Sequence, residues 1–406
     1  MATGGLVDAI DAEKRRRTRD ARYARRRFLN SVSTLGRLQH CGITRADAEQ
    51  GVSVKVNDSG HAHFANLQLC ASVHACPVCA AKVRNRRADE IEIGLARHLA
   101  ACGGAEFVTF TLPHDFGDRL APLLEAIAAA YRCVTQGRAA TEDAETFGLC
   151  GSIKALEVNV GPNGWHPHLH VIMLTTAPLS ARGEALLRSR LFSRWADGIE
   201  AAGYRRPLRQ FVDVRPVHNS AGVAAYTAKV YDENRVGLEV ARSDLKQGRG
   251  SSHRSAWALL ADAHEGADVA DLALWWEYEK ATKGKYALRW SPGLKKRLGV
   301  DVLTDEELAQ EEVGGETVAV IGVALWGYVA RSRNLAVEIL RCAERDGADG
   351  LADLLARIEV DAFGDAAPPG ALGAPPPTVS RPDAREWKLW KLRRAREGLL
   401  TPFPSR

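Results

Sequence analysis

The feature that most constrains this chain is a pair of long β-forming segments joined by a short turn. IKALEVNV (153–160) runs into GPNG (161–164), and HLHVIML (168–174) returns. Two alternating, β-branched runs flanking Gly, Pro and Asn predict an antiparallel hairpin. FVTFTL (107–112) and FVDVRPV (211–217) read as further strands. Helical patterns lie between them, at 80–100 with Ala88, Ile91, Leu95 and Leu99 on one stripe, at 118–139 ending near Gly137, and at 180–201. Ser220 is placed to cap a further helix through Tyr231. This order predicts an α+β fold.

The second strand of the hairpin opens as Trp165-His166-Pro167-His168-Leu169-His170-Val171-Ile172-Met173. Side chains alternate faces along a strand, so His168 and His170 project together while Leu169, Val171 and Met173 point the other way. Two imidazoles on one rigid face can hold a divalent ion, with Glu157 of the preceding strand as an oxygen ligand. Such a nitrogen/oxygen set suits Mg²⁺ or Mn²⁺. His166 has the same parity, and a plain surface histidine pair is the competing reading. Downstream, Tyr226 and Lys229 in VAAYTAKVY (223–231) fall three apart on a helix and share a face. A neutral phenol is a weak nucleophile, and a neighbouring cation favours its phenolate.

Of eight cysteines, three cluster as Cys70-x5-Cys76-x2-Cys79, with Cys41 upstream. A Cys-x2-Cys knuckle with two further thiolates is a tetrahedral Zn²⁺ arrangement, and Pro77 favours the tight turn. Cys41 is the expected fourth ligand, with His74 in reserve. Cys102, Cys133, Cys150 and Cys342 stand apart and read as small buried hydrophobes.

The formal net charge is only +5, but it is unevenly spread. Residues 14–28 hold nine Lys/Arg against one acid, and 301–316 hold seven acids and no base. Clustered positive charge points to a polyanionic partner, the alternative being a solvated helix face. The divisions expected are a basic arm (1–35), a zinc-binding segment and helix (36–100), a catalytic domain (101–300), a C-terminal helical region (301–362), a Pro/Gly/Ala linker (363–382) and a basic tail helix (383–406). Helices are expected at 304–312 and through 317–358. No run approaches 18 uncharged apolar residues, and no secretory signal opens the chain, so a cytoplasmic protein without a membrane partner is expected. A G-x-x-x-x-G-K-[ST] loop is also missing, which argues against nucleotide hydrolysis.

In order, FVTFTLPH (107–114), GWHPHLHVIML (164–174) and VAAYTAKVY resemble the three motifs of the rolling-circle plasmid replication initiator (Rep) family, within the HUH endonuclease superfamily. CPVCAAKVRNRR (76–87), KQGRG (246–250) and EYEKATKGKYALRWSPGLKKRLGV (277–300) resemble its plasmid branch. The likeness spans about residues 36–300. It implies an HUH-type central antiparallel sheet flanked by helices, with the N-terminal zinc segment and C-terminal helices appended. It further implies metal-dependent, site-specific nicking and strand transfer of single-stranded origin DNA. Tyr226 would be the nucleophile forming a 5′-phosphotyrosyl link, with Lys229 beside it, and His168, His170 and Glu157 would hold the metal. Arg15, Arg16, Arg17, Arg25, Arg26, Arg27, Lys246 and Arg249 would supply phosphate contacts. Host helicase, DNA polymerase and single-strand-binding protein are the implied partners besides origin DNA. Two features depart from relatives: Gly222 stands where some carry a Glu before the Tyr, and Tyr231 is five residues on rather than four. Glu157, Glu239 or a released water could then serve in termination. Two other readings stay open, an HUH single-strand transposase or relaxase, and a non-enzymatic zinc DNA-binding protein.

Overall fold

The computed structural model describes residues 3–218, 254–266, 268–311, 314–332 and 334–364. Tyr226, Lys229, Lys246, Arg249, Glu239, Tyr231 and almost all of the expected linker and tail lie outside them. The chain divides into two units, Ala71–Gln310 and a second built from residues up to Cys70 together with those from Glu311 onward.

The Ala71–Gln310 unit is organised around an antiparallel sheet. Its strands are β3 (Gly104–Thr111), β4 (Leu149–Gly161), β5 (Gly164–Thr175), β6 (Val212–Pro216), β7 (Arg254–Ser255) and β8 (Leu288–Trp290). The order is β6-β3-β5-β4-β7, with β8 also pairing β4. The expected hairpin is β4–β5, closed by the pair Gly161↔Gly164. Gly164 takes φ +83°, a backbone state that a Cβ would strain. Pro167 lies just past the last β3–β5 pair, Thr111↔His168, where a missing N–H costs that ladder nothing.

Alternation then sorts the two faces. Phe110 packs against Tyr131 and Trp195, from the helices Leu120–Thr135 and Ala181–Ala201. On the opposite face, Ile91 and Leu95 of the helix Pro77–Ala100 form one buried cluster with Ala105, Ile153, Ile172 and Leu174. Ile172 and Leu174 share the parity of His168 and His170. One end of this face is therefore sealed by a helix and the other carries the histidines. The expected helix at 118–139 ends at Thr135. Gly137, at φ +83°, precedes a separate helix, Arg138–Phe147.

The other unit contains a three-stranded antiparallel sheet, β2-β1-β9, of Val52–Val56 (β1), Ala62–Ala65 (β2) and Glu316–Ile321 (β9). Here the sequence expectation is corrected, because 316–321 is a strand and not part of a helix. ETVAVI is β-branched and alternating, and β9 finds its partner more than 250 residues upstream, with Val54 opposite Ala319. Val52, Val54, Ile321, Trp326, Val329, Ile339 and Leu340 form its core.

The arginine-rich run lies on the helix Thr3–Val32. Part of its charge is paired within this unit: Arg16 and Arg19 share Glu344, and the run's own Asp20 accepts from Arg19 and Arg341. Arg25 and Arg26 are buried, Arg26 lies over the Tyr23 ring, and Arg27 donates to the Ser332 carbonyl. Arg17 is exposed and pairs with Glu13 one turn back. No described helix is long and apolar enough to cross a membrane.

Candidate functional site

Register sets the histidine site. Within the sheet His168 faces Glu157 on β4 and Thr111 on β3, while His170 faces Ala155 and Thr109. The rings of His168 and His170 lie 6.0 Å apart and near parallel, at 19°. Thr109 Oγ1 is 3.1 Å from Nδ1 of His170, and Thr111 Oγ1 is 3.1 Å from Nδ1 of His168. Each imidazole is thus held at Nδ1, which leaves Nε2 as its remaining ligand atom; that of His170 meets Glu157. A hydroxyl can donate or accept, so it supports either tautomer.

Glu157 completes the group. Its Oε2 accepts from His170 Nε2 at 2.7 Å, and its Oε1 accepts from Asn159 Nδ2 at 2.9 Å. Burial alone would raise this carboxyl. The hydrogen bond and charge of His170, the Asn159 amide and the charge of His168 outweigh it and hold Glu157 below the ordinary range. His170 is itself buried and stacks on Phe107 at 5.4 Å.

The row of rings continues toward the hairpin turn. His166 meets His168 edge-on at 4.1 Å and contacts His114 Nε2 through its Nδ1. His114 Nδ1 donates to the Asn163 carbonyl at 3.0 Å. With that proton fixed on Nδ1, Nε2 of a neutral His114 accepts from His166. Sequence alone does not single out Thr109, Thr111, Asn159 and His114 as site residues. The signal was present, since Thr109-x-Thr111 and Glu157-x-Asn159 repeat the two-residue spacing of His168-x-His170.

The cysteines form a tighter group. Cys41, Cys70, Cys76 and Cys79 are all buried, with their sulfurs within 4.8 Å of one another. Among the described residues no other set of three or more His, Cys, Asp or Glu donors converges this closely. Cys76 is the N-cap of the helix Pro77–Ala100, Pro77 occupies its first turn, and Cys79 follows within that turn. The Cys70 N–H also donates to Cys41 Sγ at 3.4 Å. His74, the reserve ligand, instead lies 3.3 Å from the Tyr278 hydroxyl. Burial, then the charge of Arg84, push its pKa down to about 3, so it is a neutral interior ring. Of the four isolated cysteines only Cys342 is buried. Cys102 and Cys133 are exposed and Cys150 is intermediate, which corrects the expectation for these three. Cys102 follows a helix end at φ +61°, and Cys133 lies on the solvent side of its helix.

A curated protein from Streptomyces lividans, named Protein rep, is 31% identical over 389 aligned residues, covering 79% of this chain and 85% of that protein. This chain belongs to the plasmid Rep family. A second relative, the Neomycin resistance protein of Streptomyces cyanogenus, is 31% identical over 153 residues, 32% of this chain and 35% of that protein. No family profile and no solved structure matches the chain. As a Rep family member it is a plasmid replication protein, and its four gathered cysteines form a group able to hold a metal ion.

Proposed function

We propose that this Rep protein initiates rolling-circle replication by nicking one strand of its plasmid origin through an HUH-type centre. The observation that carries the reading is the histidine face, where His168 and His170 are each anchored at Nδ1 and Glu157 is kept ionised beside them. That donor set fits a hard divalent cation such as Mg²⁺ or Mn²⁺. When bound, such an ion supplies Lewis-acid polarisation of the scissile phosphate. Thr109 and Thr111 keep both rings facing the substrate side. Tyr226, with Lys229 favouring its phenolate, attacks the phosphorus. The bond to the 3′ oxygen breaks, that oxygen takes up a proton, and a 5′-phosphotyrosyl link remains on the protein. The free 3′-hydroxyl primes synthesis by host enzymes, and a later transfer reseals the displaced strand.

In this reading the four cysteines hold a structural Zn²⁺, whose closed thiolate set leaves no position for substrate. The full chain, incubated with supercoiled origin plasmid and Mn²⁺, is expected to yield a covalent DNA–peptide adduct mapping to Tyr226. Tyr226→Phe should lower nicking by at least about a thousandfold. Wild-type nicking by that variant would overturn the nuclease mechanism and favour a non-enzymatic DNA-binding role.

A further inference from the structure

A second group of cations sits at the β8 edge of the sheet. In the β4–β8 ladder Lys154 stands opposite Arg289. Directly opposed like charges destabilise a strand pair, their Cβ atoms being about 5 Å apart. Lys154 is on the face opposite Glu157, and its amine lies 4.8 Å over the Tyr131 ring. Its ammonium is held below the ordinary value by burial and then by the charges of Arg289 and Arg132, with no acid among the causes. Arg132 and Arg289 are exposed. Among the described residues no carboxylate forms an ion pair with Lys154, Arg132 or Arg289. Lys285 lines one cleft with Arg132, where Glu125 is the one acid. Tyr286, 65% exposed, lies 5.4 Å beneath the Arg289 guanidinium.

Three cations, none of them in an ion pair with a described carboxylate, fit an anion supplied from outside. An exposed aromatic beside them adds a surface on which an unpaired base can stack. We infer that Lys154, Arg132 and Arg289, with Tyr286, form a track for the phosphate backbone of single-stranded DNA along the β8 edge. The inference rests on the DNA-nicking reading for the identity of the polyanion. Fold alone does not require the arrangement, since neutralising one member of an opposed like-charge pair relieves repulsion.

The test is binding of the full chain to a labelled oligothymidine, read by anisotropy across a salt series without nicking. Its failure is therefore separable from failure of the Tyr226 mechanism. Lys154→Gln and Arg289→Gln should each reduce the slope of log affinity against log salt by about 0.7, with melting temperatures unchanged or higher. Tyr286→Ala should weaken single-strand binding roughly five- to a hundredfold and leave duplex binding within about twofold. Unchanged salt slopes would overturn the track. So would slopes that fall only together with the melting temperature, because the cations would then be structural. Equal losses on single and double strands in Tyr286→Ala would remove the stacking component.

Discussion

The cysteine cluster and the histidine face are both donor sets, and they are built in opposite ways. The four sulfurs are buried and mutually within 4.8 Å, so each already points at a common centre. The two imidazoles lie 6.0 Å apart beside a partly exposed Glu157 and are held from behind by hydroxyls. A closed set suits a metal whose binding energy goes into folding. An open set suits one that must also meet a substrate. On the proposed reading, convergence and burial separate the two roles better than ligand type does.

The largest effect that can break this contrast comes from removing a sulfur. Structural zinc sites contribute on the order of 10 kcal/mol to folding in small domains. Cys76→Ser is therefore expected to unfold the protein or lower its melting temperature by more than about 10 °C, with loss of about one zinc per chain by elemental analysis. His168→Ala should abolish nicking while moving the melting temperature by only a few degrees. If the two variants show the same thermal loss, the division between folding metal and working metal fails.

A smaller effect isolates the hydroxyl anchors. Thr109→Val keeps the shape of the side chain but removes the group at His170 Nδ1. Loss of such an outer partner typically costs 10- to 100-fold in metal affinity. The expected result is a 10- to 100-fold higher Mn²⁺ requirement for nicking, with the maximal rate recovered at saturating metal. An unchanged Mn²⁺ titration would show that the threonines fill space and do not tune the ligands.

Local patterns were legible in the sequence and distant pairings were not. The hairpin, the shared parity of His168 and His170 and the Cys-x2-Cys knuckle depend on spacing within about two dozen residues. Thr109 reaches His170 only through the β3–β5 register, across 61 positions. The strand character of β9 is local to ETVAVI, whereas its pairing with β1, more than 250 residues upstream, is not. Charge was the least legible. The arginines of the helix Thr3–Val32 look like a polyanion arm, yet several meet Glu344, Asp20 or the interior. Lys154 and Arg289, unremarkable in sequence, are brought face to face by the sheet.

The smallest effect compares two glutamates on opposite faces of the same sheet. Glu157 is drawn below the ordinary carboxyl range by its imidazole and amide partners. Glu106 on β3 faces the helix side, nearly inaccessible, with Oε2 lacking a partner. Burial first, and then the nearby charge of Glu184, raise it to about 7. A carboxyl whose folded value lies above its unfolded value near 4.5 holds extra protons in the folded state between those limits. Its contribution to stability is fully present below pH 4.5 and is lost as pH rises through 7. Glu106→Gln, which stays neutral throughout, should flatten this part of the pH–stability curve in urea melts while leaving the Mn²⁺ requirement for nicking unchanged. A slope that survives the substitution would mean that Glu106 ionises in the fold as it does in the open chain, and that burial on the helix side of β3 is not what separates the two carboxyls.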